Sequence, residues 1–295
     1  MPLPRARTQE GQAGLDALLA DPSRALIASD FDGTLSPIVP DPAAARGHPG
    51  AAAALASLAP LAGTVAIITG RPAADAVVLG GFSDVPGLIV LGHYGAERWE
   101  DGTVTAAAAP DGVEEARRLL PQVLARVGVS LVSHDDNATS RDKATFPNAP
   151  GLTGVTIEDK GTALAVHTRR ASDPVGALEL LRAPLEDLAA QAQLALEPGR
   201  FVLELRPHGI DKGAALQGLV AERAAGVVLF CGDDLGDLAA FAAVRSLRSS
   251  GVPGCTVASA SPEAEAVTEA ADVVVDGPAG VVALLESLAG AIAGR

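Results

Sequence analysis

Cysteine is almost absent: Cys231 and Cys255 are the two in 295 residues, and each lies inside an apolar run. That scarcity excludes a disulfide framework and a cysteine-based zinc site, and buried free thiols are expected. Aromatic residues are few and positive charge is the minority, with 22 Lys and Arg against 36 Asp and Glu, a net charge of −14. A polyanion such as nucleic acid is repelled by that overall field, and no local basic patch offsets it. No apolar run approaches the ~18 residues of an ordinary membrane span, and the opening Met1-Pro2-Leu3-Pro4-Arg5-Ala6-Arg7 lacks the apolar middle of a signal peptide. A cytoplasmic globular enzyme is therefore expected, long enough to bury a core as one large domain or two modest ones. Neither an internal repeat nor a low-complexity linker is present, and the abundance of Ala, Gly and Pro is a compositional bias without functional meaning.

What is present is an alternation of short apolar runs and helical patterns. A helix over 11–20 closes at Asp21-Pro22-Ser23 and leads into the buried strand Ala25-Leu26-Ile27-Ala28-Ser29. A helix over 51–61 precedes a second strand, Thr64 to Ile68, and another helix begins near Pro72, a residue favoured in a first helical turn. Gly87 to Leu91 is a third strand. Strands alternating with helices imply a parallel sheet with right-handed crossovers, an α/β fold. After about Asp101 the texture changes: a helix over 112–127, a strand over 129–132, a polar loop from Ser133 to Pro150, and a hairpin of 155–158 and 162–167 around Asp159-Lys160-Gly161. A helix over 174–191 and a strand over 201–205 complete an α+β layer of its own. The α/β rhythm resumes with helices over 212–224 and 235–244, strands over 227–231, 255–258 and 272–275, and a last helix from Pro278 toward Ala293. The expected organisation is one α/β core from residues 1–107 and 206–295, interrupted by an inserted α+β module at 108–205 that leaves from the sheet's carboxyl edge, where it could cover a site like a lid.

The chemistry is concentrated at the carboxyl ends of the core strands, where open α/β sheets place their ligands. Asp30-Phe31-Asp32-Gly33-Thr34-Leu35 follows the first strand directly. A lone Asp-x-Asp is commonly an acidic turn; here three further pieces follow in order. Thr69-Gly70-Arg71-Pro72 ends the second strand with a hydroxyl and two backbone N–H groups at a helix start, an anion cradle compatible with an ordinary helix cap. Lys212 opens a helix and is the candidate cation for a bound phosphate. Asp233, Asp234 and Asp237 crowd three carboxylates into five residues, mutually repulsive unless a cation or firm hydrogen bonds hold them. Hydrolysis of a phosphate monoester needs a nucleophile in line with phosphorus, charge neutralisation and a proton donor for the leaving alcohol. Asp30 suits the attack and Asp32 the proton transfers. Oxygen-only ligands beside a phosphate favour Mg²⁺, with Asp30 and Asp233 as side-chain ligands and Asp234 and Asp237 orienting waters or Lys212 behind them.

This ordered set resembles the haloacid-dehalogenase (HAD) superfamily of phosphatases over nearly the whole chain. The resemblance implies a HAD-like Rossmannoid core with an inserted α/β cap of the C2 type. It also implies that Asp30 is the nucleophile, that Asp32 is the acid/base and lends its backbone carbonyl to Mg²⁺, and that Asp233 completes the metal shell. A narrower resemblance, to the trehalose-6-phosphate phosphatase family, rests on Glu158 through Arg169, matching Glu-x-Lys-Gly followed by an apolar strand and arginine, and on the run from Gly199 through Glu204 to Lys212-Gly213. It implies that Glu158, Lys160, Arg169 and Glu204 hold glucose hydroxyls and that trehalose 6-phosphate is the small-molecule substrate, and it leaves open a functional pairing with a trehalose-phosphate synthase. A monomer is expected, with no nucleic-acid or membrane partner. Gly92-His93-Tyr94-Gly95-Ala96-Glu97 resembles the family's Gly-x-His-Gly-x-Glu segment but carries Tyr94 where histidine is common, so no histidine role is assigned and His93 and Tyr94 are read as packing at a strand end. The stretch from Ser133 to Pro150 is longer than the family pattern. Other readings stay open at this point: a phosphatase for another sugar phosphate such as sucrose 6-phosphate or a glycosylglycerate phosphate, a non-catalytic sugar-phosphate sensor, and a phospho-accepting receiver.

Overall fold

The computed structural model describes residues 3–106, 108–129, 144–145, 152–199, 201–260 and 265–295. They fall into two compact units, one formed by 1–106 with 211–295 and the other by 107–210. In the first unit, helix α1 (Gln9–Ala20) is capped by Thr8, whose hydroxyl accepts the Gly11 N–H at 3.0 Å. Strands β1 (Ala25–Ser29) and β2 (Thr64–Ile68) are buried at every position, as parallel strands covered on both faces must be. Between and after them lie α2 (Ala51–Leu58), α3 (Ala73–Gly80) and β3 (Ile89–Gly92). A hairpin of β4 (Glu97–Glu100) and β5 (Thr103–Ala106) then extends the sheet antiparallel beside β3. Sequence reasoning overlooked it, although its Asp101-Gly102 turn, with φ of 48° and 78°, is the dipeptide that tight hairpins require.

The second unit begins with α4 (Asp111–Arg126) and contains β6 (Ala144–Thr145), β7 (Thr156–Asp159), β8 (Leu164–His167), α5 (Pro174–Gln191), β9 (Leu194–Gly199) and β10 (Val202–Pro207). The strands form an antiparallel sheet in the order β6-β7-β8-β10-β9. Leu120, Leu124, Leu181 and Leu185 from the two helices pack on Val166, Leu203 and Leu205. Strand alternation therefore leaves Glu204 on the face opposite the helices. Of the strand expected over 129–132 and the polar loop over 133–150, only Val129 and Ala144–Thr145 are among the described residues.

The chain re-enters the first unit through α6 (Lys212–Glu222), capped by the Asp211 carboxylate on the Ala214 N–H, and continues with β11 (Val227–Gly232), α7 (Leu238–Ser249), β12 (Gly254–Ser259), α8 (Glu265–Ala270), β13 (Val273–Val275) and α9 (Gly277–Ala293). The sheet order is β13-β12-β11-β1-β2-β3-β4-β5, parallel from β13 to β3. On one face Leu15, Leu55, Leu58, Leu285 and Leu288 meet Ile27, Val65 and Leu229; on the other Leu216, Leu219, Phe241 and Val244 meet Leu26, Ile68 and Phe230. Each such side chain contributes roughly 1.5–3 kcal/mol on burial, which fixes the central strands and hence the loops at their carboxyl ends. The helix expected from Leu235 starts at Leu238, because 235–237 form a 3₁₀ turn closed by the Asp237 carboxylate on the Asp233 and Asp234 amides. Among the described residues no helix is long and apolar enough to cross a membrane.

Candidate active site

The ends of β1, β2 and β11 bring four sequence-predicted groups together. The Asp30 N–H donates to the Cys231 carbonyl at 2.8 Å, one residue beyond β1, so the sheet ladder itself sets where this side chain starts. Phe31 is fully buried against Phe82, with ring centroids 5.9 Å apart and edge-on, and it anchors the motif to the core. The chain then turns sharply at Gly33, whose φ of 79° is left-handed. A β-carbon at Gly33 would lie 1.9 Å from Asp233 Oδ2, so this turn also leaves the room in which Asp233 sits. The Thr34 hydroxyl donates to Asp233 Oδ1 at 3.0 Å and the Ser259 hydroxyl donates to the Gly33 carbonyl at 2.7 Å. Thr34 stands inside the quoted motif, but its partner lies 199 residues away and no local signal shows it.

Lys212, at the first position of α6, is buried and its Nζ reaches Asp30 Oδ1 at 2.8 Å and Asp237 Oδ1 at 2.7 Å; exposed Asp234 is 4.0 Å away. The second oxygen of Asp237 accepts the Asp233 and Asp234 N–H groups at 2.9 and 3.1 Å. Oxygens of Asp30, Asp233 and Asp237 all lie within 4.8 Å of one another. Three buried carboxylates thus face one ammonium. Burial, joined by Asp237, Asp233 and Asp234, pushes the Asp30 carboxyl well above its usual range despite Lys212. Asp237 is likewise raised by burial against Lys212, and Asp233 is pushed up to about 7 by burial and its two acidic neighbours. The Lys212 ammonium is lowered by burial but carried well above its ordinary value by Asp237 and Asp30. The cluster is short of positive charge, and an all-oxygen donor set of this size suits a hard divalent cation. Because both Asp237 oxygens are engaged by Lys212 and amides, Asp30 and Asp233 are the carboxylates with capacity to hold it, and Asp237 orients Lys212.

Thr69 is buried at the end of β2, where its N–H donates to the Leu91 carbonyl at 2.9 Å. Its hydroxyl accepts the Arg71 N–H at 3.2 Å, so that amide, read from sequence as half of an anion cradle, is turned inward, while no such bond involves the Gly70 amide among the described residues. The Arg71 guanidinium grips Asp32 with two bonds of 2.6 Å, donates to the Pro42 carbonyl at 2.9 Å and lies 5.7 Å over the Phe31 ring. A fork of this kind fixes a carboxylate's orientation as well as its charge. The segment after β3 straps this loop: His93 N–H donates to the Arg71 carbonyl at 2.9 Å, Tyr94 N–H to the Thr69 carbonyl at 3.0 Å, and Glu97 accepts the Ala73 N–H at 3.0 Å, capping α3 from a distance. His93 and Tyr94 adopt left-handed φ of 47° and 59° to do so, consistent with packing at the strand end.

In the second unit, Lys160 Nζ pairs with Glu204 Oε2, and Glu158 meets His167 Nε2 at 2.8 Å. Glu204 Oε1 is buried without a hydrogen-bond partner among the described residues. His167, quoted only as part of a string, was missed as a member of this group. Arg169 is exposed two residues beyond β8 and makes no hydrogen bond or ion pair with Glu158, Lys160 or Glu204 among the described residues.

The family model described as trehalose-phosphatase matches residues 28–273. The trehalose-phosphate phosphatase of Mycobacterium avium (strain 104) is 37% identical over 235 residues, covering 76% of this chain and 52% of the relative. That of Mycobacterium leprae (strain TN) is 34% identical over 239 residues, covering 76% and 48%. The chain thus spans about half the length of the curated relatives it matches. A solved structure of Aspergillus fumigatus trehalose-6-phosphate phosphatase shares the fold, with a TM-score of 0.65 at 24% identity over 97% of this chain and 99% of that chain. A haloacid dehalogenase-like hydrolase from Bacteroides thetaiotaomicron does so at a TM-score of 0.60 and 18% identity, over 89% and 98%.

Proposed function

Because the chain belongs to the trehalose-phosphatase family and has the HAD-like α/β core with an inserted cap, we propose that it is a Mg²⁺-dependent phosphatase. Its substrate in this reading is trehalose 6-phosphate, hydrolysed to trehalose and phosphate, with a trehalose-phosphate synthase supplying that substrate. The observation that carries the reading is the buried cluster of Asp30, Asp233, Asp237 and Lys212 at the ends of β1 and β11. Asp30 attacks phosphorus and the bond to the sugar oxygen breaks, leaving an aspartyl-phosphate. Asp32 gives its proton to the departing oxygen, then takes one from the water whose attack on phosphorus frees Asp30 and releases phosphate. Lys212, Thr69 and the Gly70 amide hold phosphoryl oxygens, and Lys212 offsets the nucleophile's charge. Arg71 acts on Asp32 and not directly on phosphate. Asp30, Asp233 and the Asp32 carbonyl would hold Mg²⁺, which would supply further charge neutralisation at the phosphoryl group.

The same proposal assigns Glu158, Lys160, Arg169 and Glu204 to sugar hydroxyls, since carboxylates accept from hydroxyls and Lys and Arg donate to them. Glu204 Oε1, which has no hydrogen-bond partner among the described residues, supports a hydroxyl donor there. The test is phosphate release with Mg²⁺ from trehalose 6-phosphate, glucose 6-phosphate and sucrose 6-phosphate. Trehalose 6-phosphate should be turned over far faster than the other two, and equal rates would remove the substrate assignment while leaving the phosphatase.

A further inference from the structure

One cluster outside the phosphoryl site is tied to the turn that carries Glu158 and Lys160. Arg117, on α4, sends Nε to Asp159 Oδ2 at 2.6 Å and Nη2 to Asp159 Oδ1 at 3.0 Å. The same Nη2 donates to the Gly161 carbonyl at 2.8 Å, and Nη1 meets Glu114 Oε1 at 2.6 Å. Asp159 Oδ1 also accepts the Gly161 N–H at 2.8 Å, so one carboxylate and one guanidinium hold both the side chain and the backbone of the turn. A half-exposed ion pair alone adds little stability. Contact with the carbonyl does something different: it fixes the turn's backbone, including Gly161 with its left-handed φ of 80°. Alternation along β7 places Asp159 toward the helices and Glu158 with Lys160 on the other face, where Lys160 meets Glu204. Glu204 Oε1, buried without a hydrogen-bond partner among the described residues, is a second and independent sign that this face suits a hydrogen-bond donor.

We propose that Arg117, acting through Asp159, is a positioning residue for sugar recognition: it sets the 158–161 turn so that Lys160 and Glu158 stand in register with Glu204. This rests on the assignment of Glu158, Lys160 and Glu204 to the sugar. Arg117 itself touches neither substrate nor reacting atoms.

The experiment uses the full chain with Mg²⁺ and two substrates, trehalose 6-phosphate and p-nitrophenyl phosphate, which has no sugar to recognise. Arg117→Met and Asp159→Asn should each raise KM for trehalose 6-phosphate roughly tenfold, since small misplacements of a binding group have effects of this size or larger. Turnover of p-nitrophenyl phosphate should stay within about twofold, and Arg117→Lys, which keeps the charge but not the fork, should recover only part of the loss. Adding Arg117→Met to Lys160→Met should raise KM by a smaller factor than Arg117→Met does in the wild-type chain, the remainder reporting Glu158. Glu204→Gln serves as the control for the underlying assignment. If it raises KM for the sugar phosphate while Arg117→Met does not, the positioning role is wrong and the sugar assignment stands. If Glu204→Gln leaves KM unmoved, the sugar assignment itself fails and the proposal with it. Equal losses on both substrates, with a lowered melting temperature, would make Arg117 merely structural and overturn the proposal.

Discussion

Asp233 is the group through which pH, metal and stability should be linked. Its carboxyl is pushed up to about 7, first by burial and then by Asp237 and Asp234, against the lowering influence of Lys212 and the Thr34 hydroxyl. In the unfolded chain the same carboxyl titrates near 3.8. With the folded value above the unfolded one, its contribution to stability is fully present below the unfolded value and is lost as pH rises through the folded one. The displacement corresponds to on the order of 4 kcal/mol of strain in the metal-free protein at alkaline pH. A cation on Asp233 must displace the proton. At pH 8 about nine-tenths of the metal-free protein has this carboxyl ionised and at pH 5 about one-hundredth, so apparent Mg²⁺ affinity should fall about 100-fold between them. Asp30, raised chiefly by burial, steepens the trend in the same direction. Isothermal titration with Mg²⁺ at the two pH values, alongside thermal unfolding with and without the ion, measures this directly. Stabilisation by Mg²⁺ should be larger at pH 8, and Asp233→Asn should abolish both binding and its pH dependence. An affinity that is the same at both pH values, or an Asp233→Asn variant that binds like wild type, refutes the reasoning.

Two further outcomes follow from particular contacts. Arg71→Met frees Asp32 from its fork; turnover of trehalose 6-phosphate, whose alkoxide must be protonated, should fall about 100-fold, and that of p-nitrophenyl phosphate, whose leaving group needs no proton, at least tenfold less. A parallel fall on both would return Arg71 to phosphate binding. Asp272, away from the site, is opposed by burial but held below its ordinary value by Arg248, Thr8 and Thr256, so its stabilisation is present above the unfolded value and disappears as pH falls through the folded one. Asp272→Asn should cost about 3–5 kcal/mol and flatten the acid limb of the stability profile, leaving Mg²⁺ affinity intact. Denaturant unfolding across pH checks both parts.

The central strands were legible because 25–29, 64–68 and 227–231 are short continuous apolar runs that end in polar motifs, the pattern of a strand covered on both faces. Asp30, Lys212, Asp233 and Asp237 were legible for the same reason, since each stands at a strand or helix terminus that the pattern locates. The β4–β5 hairpin was not, because Glu97-Arg98-Trp99-Glu100 interleaves charges with one large apolar residue and only the Asp101-Gly102 turn betrays it. β9 escaped in a similar way, with Leu194 and Leu196 as its only inward marks. Pairings between distant segments leave no local trace at all: Arg71 with Asp32, Thr34 with Asp233 and Arg117 with Asp159 are set by the packing of elements 39 to 199 residues apart. Periodicity reports which face is buried, not which polar group meets which.

The most direct test of the central claim is the initial rate of phosphate release from trehalose 6-phosphate by the wild-type chain and by Asp30→Asn, each in Mg²⁺ and after chelation. The account predicts rapid release by wild type in Mg²⁺ alone, with folded but inactive Asp30→Asn. Substantial release by Asp30→Asn, or a wild-type rate indifferent to chelation, would contradict it.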